Sequence, residues 1–297
     1  VALNRSSVPD VQCHVTTSIS PALAEQAQAR AYFDFEAGAP AATRAALGIE
    51  LDRFGGGVVL AVRNAGPFWS KALGFGFEEP VTASLIDRIC DVFRTAGLPQ
   101  GIIQLPPSVQ PEDWPAIRAK HNLTAGSGVV KLVGRTDLVI ETADLTTSLG
   151  AGLRVGRADA SHAGEWASVM TTVFGLEGDA MHEMCAASVG RPGWVPCAVW
   201  DGDRIVATAT THIHQRAAHM FGGATLPGAR GRGAQTALLA MRARAALAAG
   251  CQWLVGETGA ERPGDHNSSL HNMLRLGFRT QYVQPNWIWQ SATESVH

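Results

Sequence analysis

The chain has 297 residues, 46% of them apolar and 17% charged, with a formal charge of −2. These values exclude a disordered chain and give no general attraction to nucleic acid or to a membrane surface, and the length suits one large domain or two of ordinary size. Five cysteines (Cys13, Cys90, Cys185, Cys197, Cys251) are odd in number and lack C-x-x-C spacing, which points to reduced thiols. With no N-terminal leader pattern and no apolar run of about 18 residues, the expectation is a soluble cytoplasmic protein, monomeric or homodimeric, with neither a nucleic-acid nor a membrane partner.

In chain order, the first half predicts a helix over 21–35, a short strand over 57–62, and a helix over 81–96 that stops at Gly97. A strand over 101–105 and Pro106-Pro107 follow, then a helix over 111–121 and an alternating strand over 128–133. The second half predicts a helix over 158–174, then a strand over 194–200 entering an Asp201-Gly202-Asp203 hairpin turn. Its partner runs over 204–215, and after Arg216-Ala217 comes a third strand over 219–226. A long alanine-rich helix over 234–249 closes at Gly250, followed by a strand over 252–257, a helix over 267–276 and a last strand over 280–290. The pattern is α/β with several hairpins, hence a mixed sheet.

The two halves repeat one order of elements, with Gly97 matching Gly250 and residues 132–135 matching 287–290. The expectation is two similar domains, 1–148 and 149–297, joined near residues 142–152. Between the strand and the long helix of the second half lies Arg230-Gly231-Arg232-Gly233-Ala234-Gln235. A helix start leaves unpaired N–H groups and a partial positive charge, and glycines let an anion approach without a Cβ in the way. The NTPase phosphate loop and the Gly-x-Gly-x-x-Gly dinucleotide fingerprint are both absent. A phosphorylated ligand other than ATP or NAD is one reading; a basic turn that binds nothing is the other. The matching stretch of the first half, Gly76-Phe77-Glu78-Glu79-Pro80, has two carboxylates that should repel a pyrophosphate, so 1–148 is expected to be structural and 149–297 the working domain.

The run from Thr225 to Gln235, with the helix behind it, resembles the Arg/Gln-x-x-Gly-x-Gly/Ala turn of the GNAT superfamily of acyl-CoA-dependent N-acetyltransferases. Gln235 departs from the last Gly or Ala. Residues 267–278, an Asn followed by a helix ending in Gly277-Phe278, resemble the family's second motif. The resemblance covers 153–290 clearly and the region before Arg135 as a faded copy; tandem arrangements occur in the superfamily. It implies two GNAT-like domains in tandem, each a mixed, mostly antiparallel twisted sheet flanked by helices. It also implies acetyl-CoA as cosubstrate with no metal, and direct attack by a primary amine of a small molecule, in natural-product biosynthesis or antibiotic self-resistance. The alternative is a non-catalytic acyl-CoA-binding or regulatory protein.

The resemblance assigns the cofactor to Ala224, Thr225, Leu226, Arg230, Gly231, Arg232, Gly233, Ala234, Gln235, Asn267 and Asn272. Gly222-Gly223 suggests close backbone approach or a β-bulge. The family's general acid is a tyrosine four residues before the Gly of Gly-Phe; here that residue is Met273, and the chain's tyrosines are Tyr32 and Tyr282. Ser269 and Asn272, three apart on one helix, are candidates to hydrogen-bond the leaving sulfur. Glu257 at a strand end is the candidate base, with His219 on the neighbouring strand as the other. Solvated polar groups are the competing reading for each. His212 and His214 share a face but lack a third metal ligand. Residues 181–184 fall where the family places a substrate-facing segment, and Trp287 and Trp289 are expected to pack in the core.

Overall fold

Ser20 accepts a hydrogen bond from the Leu23 amide and Pro21 occupies the first turn, so helix α1 (Pro21–Ala37) starts where the sequence places it. This computed structural model describes residues 18–291; Cys13 and the N-terminal stretch weighed as a leader lie outside them. Helix α2 (Ala41–Leu47) follows, then β1 (Ile49–Phe54), β2 (Gly57–Val62), β3 (Lys71–Leu73), α3 (Ala83–Thr95), β4 (Gln100–Ile103), α4 (Trp114–Lys120), β5 (Thr124–Arg135) and α5 (Thr136–Thr146). The second half comprises β6 (Leu153–Arg157), α6 (Ala163–Phe174), α7 (Asp179–Ala186), β7 (Cys197–Asp201), β8 (Arg204–His214), β9 (Ala217–Thr225), α8 (Ala234–Ala248), β10 (Trp253–Gly259), α9 (Ser268–Arg275) and β11 (Arg279–Gln290).

The strands form one 11-stranded sheet in the order β1-β2-β3-β4-β11-β5-β10-β9-β8-β7-β6. Outward from the central β11–β5 pair the order is matched on both sides: β4 answers β10, β3 answers β9, β2 answers β8 and β1 answers β7. The parallel pairs, β3 with β4 and β9 with β10, also occupy equivalent places. Each half therefore sends its last strand across the centre: β5 pairs with β10, and β11 with β4. Sequence periodicity predicts two sheets but carries no sign of this exchange, because a strand's alternation records which face is buried and not which neighbour it finds.

Helix α1 touches both arms of the sheet, β2 and β3 on one side and β8, β9 and β10 on the other. Its alanines Ala24, Ala27, Ala29 and Ala31 are fully buried, so it lacks the polar face of a surface helix. Phe35 packs against Trp69, Trp194 and Phe221. On β11, Trp287 meets Trp114 and Trp289 meets Phe93, which is the core packing expected of them. Cys90, Cys185, Cys197 and Cys251 are buried free thiols. No helix among the described residues is long and apolar enough to cross a membrane.

Several elements differ from the sequence expectation. Residues 136–146 form α5, so the linker expected near 142–152 begins inside a helix; Val139 and Ala143 share one helical face and are buried, and α5 packs on α8. The hairpin β1–β2 turns through Gly55 and Gly56, both at positive φ (58° and 77°), and the charges of β1 hid its strand pattern. The loop between β3 and α3 holds the same topological place as the loop between β9 and α8, but it is filled: Phe75 is fully buried, and a Cβ on Gly76 would lie 2.6 Å from Val109.

Candidate active site

Strands β9 and β10 pair in parallel only from Ala217 to His219 and Trp253 to Val255. Beyond that rung they part, while β10 continues along β5 as far as Gly259. The edge of β9 past His219 thus lacks a strand partner. Gly222, at φ 60°, lies where β8 and β9 slip register, and a Cβ on Gly223 would meet nothing within 4 Å. The glycine pair is a bulge that also leaves open space beside the strand. A cavity of about 1950 Å³ runs through this gap, reaching the start of α8 on one side and α1 on the other.

At the α8 end, the backbone amides from Gly231 to Thr236 donate to no carbonyl among the described residues, and Gly233 leaves the helix without a side-chain cap. Gly231 and Gly233 both have positive φ, 74° and 78°. These uncapped donors, facing the cavity with the exposed Arg230, fit an anion of pyrophosphate size. Arg232 points elsewhere: it binds Asp201 at 2.7 Å and the Ala151 carbonyl at 3.0 Å, tying the turn to the segment before β6. A Cβ on Gly233 would lie 2.0 Å from the Ser148 carbonyl oxygen, so this glycine is required by the protein's own backbone. Ala224, Thr225, Ala234 and Gln235 line the cavity; Leu226 does not, its amide bonding Val206.

Gln235 joins α8 to α9. Its amide donates to Ser269 Oγ at 2.9 Å and its carbonyl accepts from Asn272 at 2.5 Å, so the residue where the motif departs from Gly or Ala holds both candidate polar groups of α9. Ser269 receives a bond there and keeps its own hydroxyl proton available, whereas Asn272 spends a donor on Gln235. Asn267 caps α9, accepting from Ser269 and Leu270 and donating to Thr258 and Gly259; it is not in the cavity wall. Met273 is buried with its methyl 2.8 Å from where a Gly256 Cβ would be, so thioether stands in place of a phenol.

On the α1 side, His219 Nε2 lies 2.6 Å from one Glu257 oxygen, and Lys131 Nζ lies 2.8 Å from the other. Lys131 also meets Glu25 at 2.8 Å and Gln28 at 2.5 Å. Burial alone would push the Glu257 carboxyl up; the opposite charges of His219 and Lys131 and their hydrogen bonds outweigh it and hold the group at about 2. A carboxylate so low is a weak proton acceptor near neutrality. Because it can only accept hydrogen bonds, it takes the Nε2–H of His219, whose Nδ1 is buried and has no partner among the described residues. The strand-end carboxylate thus orients the imidazole, which lines the cavity.

The first half also reaches this cavity, through Gln28 and Tyr32 of α1, Phe68 and Trp69 before β3, and Lys71 on β3. The domain expected to be purely structural contributes walls to the site. Sequence reasoning missed these residues; the available signal was a single lysine inside the mostly apolar run 67–75. Lys71 is 2% exposed, and burial pushes it down to about 7, against the partial opposition of Glu257 and Glu36. Tyr282, by contrast, donates to Glu25 at 2.5 Å and does not line the cavity.

Of the other residues singled out, Met181 lines the cavity, while Glu183 accepts from Thr43 at 2.6 Å and joins α7 to α2. His212 packs against Trp194 near Asp34 and is pushed down to about 4, chiefly by burial. His212 and His214 belong to no three-ligand cluster among the described residues; Glu261 and His266 of the exposed loop before α9 do come together with His271 of α9, outside the cavity wall.

Residues 134–262 match the family model described as an acetyltransferase (GNAT) domain. No curated protein matches the sequence. Among solved structures, a GCN5-related N-acetyltransferase from Kribbella flavida is similar at TM-score 0.57 and 16% identity, over 84% of this chain and 94% of that one. A tandem GNAT protein from the clavulanic acid biosynthesis pathway gives TM-score 0.57 at 14% identity, over 82% and 84%. A conserved protein of unknown function from Staphylococcus epidermidis gives TM-score 0.57 at 9% identity, over 81% and 93%. Residues 134–262 thus resemble a GNAT acetyltransferase domain, and the likeness of the whole chain to these solved structures, none above 16% identity, is one of fold.

Proposed function

We propose that the protein transfers an acetyl group from acetyl-CoA to a primary amine of a small molecule by direct attack. The observation that carries this reading is one continuous cavity with an uncapped helix start at one end and the His219–Glu257 pair at the other, joined through the gap between β9 and β10. Acetyl-CoA would bring an activated acyl thioester to that gap. The amides of residues 231–236 and Arg230 would hold its pyrophosphate, and the unpartnered edge of β9 from Met220 to Thr225 its pantetheine.

In this reading the His219 imidazole takes the proton of the attacking amine, with the ring held by Glu257 and Glu257 held in turn by Lys131. Ser269, fixed by Gln235 with its hydroxyl proton free, is the group placed to hydrogen-bond the departing sulfur. Residues 149–297 supply the phosphate turn and the imidazole, and residues 1–148 supply much of the acceptor side. The acceptor is a small molecule, with natural-product biosynthesis or self-resistance as the setting.

The buried Met273 in place of a tyrosine favours a second reading, an acyl-CoA-binding protein that does not turn over. Incubation with acetyl-CoA and an amine panel, following thiol release, separates the two: amine-dependent release supports transfer, and tight CoA binding without release on any amine supports the sensor.

A further inference from the structure

We propose that the acceptor amine also carries a carboxylate, and that Lys71 of β3 together with Tyr32 of α1 binds that carboxylate inside the cavity. This rests on the acetyl-transfer reading and narrows its substrate class. The protein holds two buried lysines near one another with opposite surroundings. Lys131 is saturated, with Glu25, Glu257 and Gln28 within 2.8 Å, and burial is outweighed there so that its ammonium is favoured. Lys71 faces the cavity with one polar contact among the described residues, the Tyr32 hydroxyl at 3.5 Å, and no carboxylate at ion-pair distance. Its Nζ lies 3.4 Å from the Phe68 ring centre and 4.5 Å from that of Tyr32.

The groups around Lys71 explain why a ligand carboxylate fits. Glu36 of α1 has both oxygens buried and unpartnered, burial raises its carboxyl well above the ordinary range, and it makes no ion pair with Lys71. Glu257 of β10 is already shared between His219 and Lys131. Tyr32 is also raised by burial and keeps its phenolic proton. One ammonium and one phenol O–H make two donor groups, which suits the two oxygens of a carboxylate; a phosphate dianion would need more charge than this wall supplies. The aromatic faces of Tyr32 and Phe68 suit the carbon skeleton beside it. A carboxylate in contact would favour the charged form of Lys71, so binding above neutral pH takes up a proton.

The test compares amino acids, from glycine to 6-aminohexanoate and phenylalanine, each with its primary amide. Calorimetry at pH 8 in two buffers of different ionisation enthalpy, without acyl donor, should show acids binding with proton uptake and roughly 10- to 100-fold more tightly than the amides, the range for a charge-assisted hydrogen bond. Lys71→Met should abolish both preference and uptake, and Tyr32→Phe should reduce the preference several-fold. CoA affinity and thermal unfolding confirm that the variants are folded. Equal binding of acids and amides, or a preference that survives in Lys71→Met, overturns the proposal. Thiol release is measured separately: carboxylate binding at Lys71 with no release from acetyl-CoA overturns the transfer reading and leaves the anion site standing, whereas transfer indifferent to the carboxylate overturns the site and leaves transfer standing.

Discussion

His219 and Glu257 meet at 2.6 Å across the point where β9 and β10 part. Val255 is the last residue of β10 paired with His219, and Glu257, two positions on, projects from the same face. The imidazole is thus fixed by the rung where pairing ends. His219→Ala should lower kcat by about 10²–10⁴-fold, the usual worth of a positioned proton acceptor, with CoA affinity unchanged. Steady-state kinetics with direct CoA binding checks both halves of that expectation.

The low Glu257 value also has a consequence for acid stability. Its folded pKa, about 2, lies below the ordinary 4.5, so the ionised group contributes stability that is complete above the unfolded value and is lost as pH falls through the folded one. Denaturant unfolding of Glu257→Gln should show a shallower fall in stability than the wild type below about pH 4.5. Equal slopes would show that the group is not held low.

Lys131 holds two buried carboxylates at 2.8 Å each. Lys131→Met would leave Glu25 and Glu257 without their shared cation, a loss of about 3–5 kcal/mol on the scale of broken buried pairs. Chemical unfolding should report it, together with a Glu257 carboxyl that moves upward.

The two arginines of the phosphate turn should separate cleanly. Arg230 is exposed beside the uncapped amides, and Arg232 is engaged with Asp201 and Ala151. Arg230→Gln should weaken CoA binding in a salt-dependent way with stability unchanged, while Arg232→Gln should keep CoA affinity and cost at most about 1 kcal/mol, as a partly exposed ion pair does. CoA titrations at two ionic strengths, with thermal unfolding, distinguish them.

The two glycines differ as well. Gly231→Ala meets open space and should cost about 1–2 kcal/mol for its left-handed backbone, but Gly233→Ala drives a Cβ to 2.0 Å from the Ser148 carbonyl and should cost more. A substitution at Gly233 therefore disturbs the fold as well as the anion site. Thermal unfolding of the pair checks the order.

Much of this site was written locally and was legible. The turn at 230–235, the helix behind it and the glycine stops at Gly97 and Gly250 depend on backbone chemistry within a few residues, and a sequence shows that directly. Glu257 and His219 could be named as candidates because each sits on a strongly patterned strand, but the hold on Glu257 depended on Lys131, whose strand pairs with β10 only after the halves exchange strands. Tyr32 and Lys71 were out of reach for the same reason: α1 and β3 come to the cavity through packing of one arm of the sheet against the other, which no periodicity records. The opposite failure occurred at 142–146, where the start of a threonine- and glycine-containing stretch suggested a linker although Val139 and Ala143 already marked a helix face.

The most direct measurement is initial-rate thiol release from acetyl-CoA as a function of amine concentration, in the wild type and in His219→Ala. Transfer by the mechanism described predicts saturable, amine-dependent release in the wild type and a fall of at least about 10²-fold in the variant at equal CoA occupancy. Tight CoA binding with no amine-dependent release, or release that is unaffected by loss of the imidazole, would contradict it.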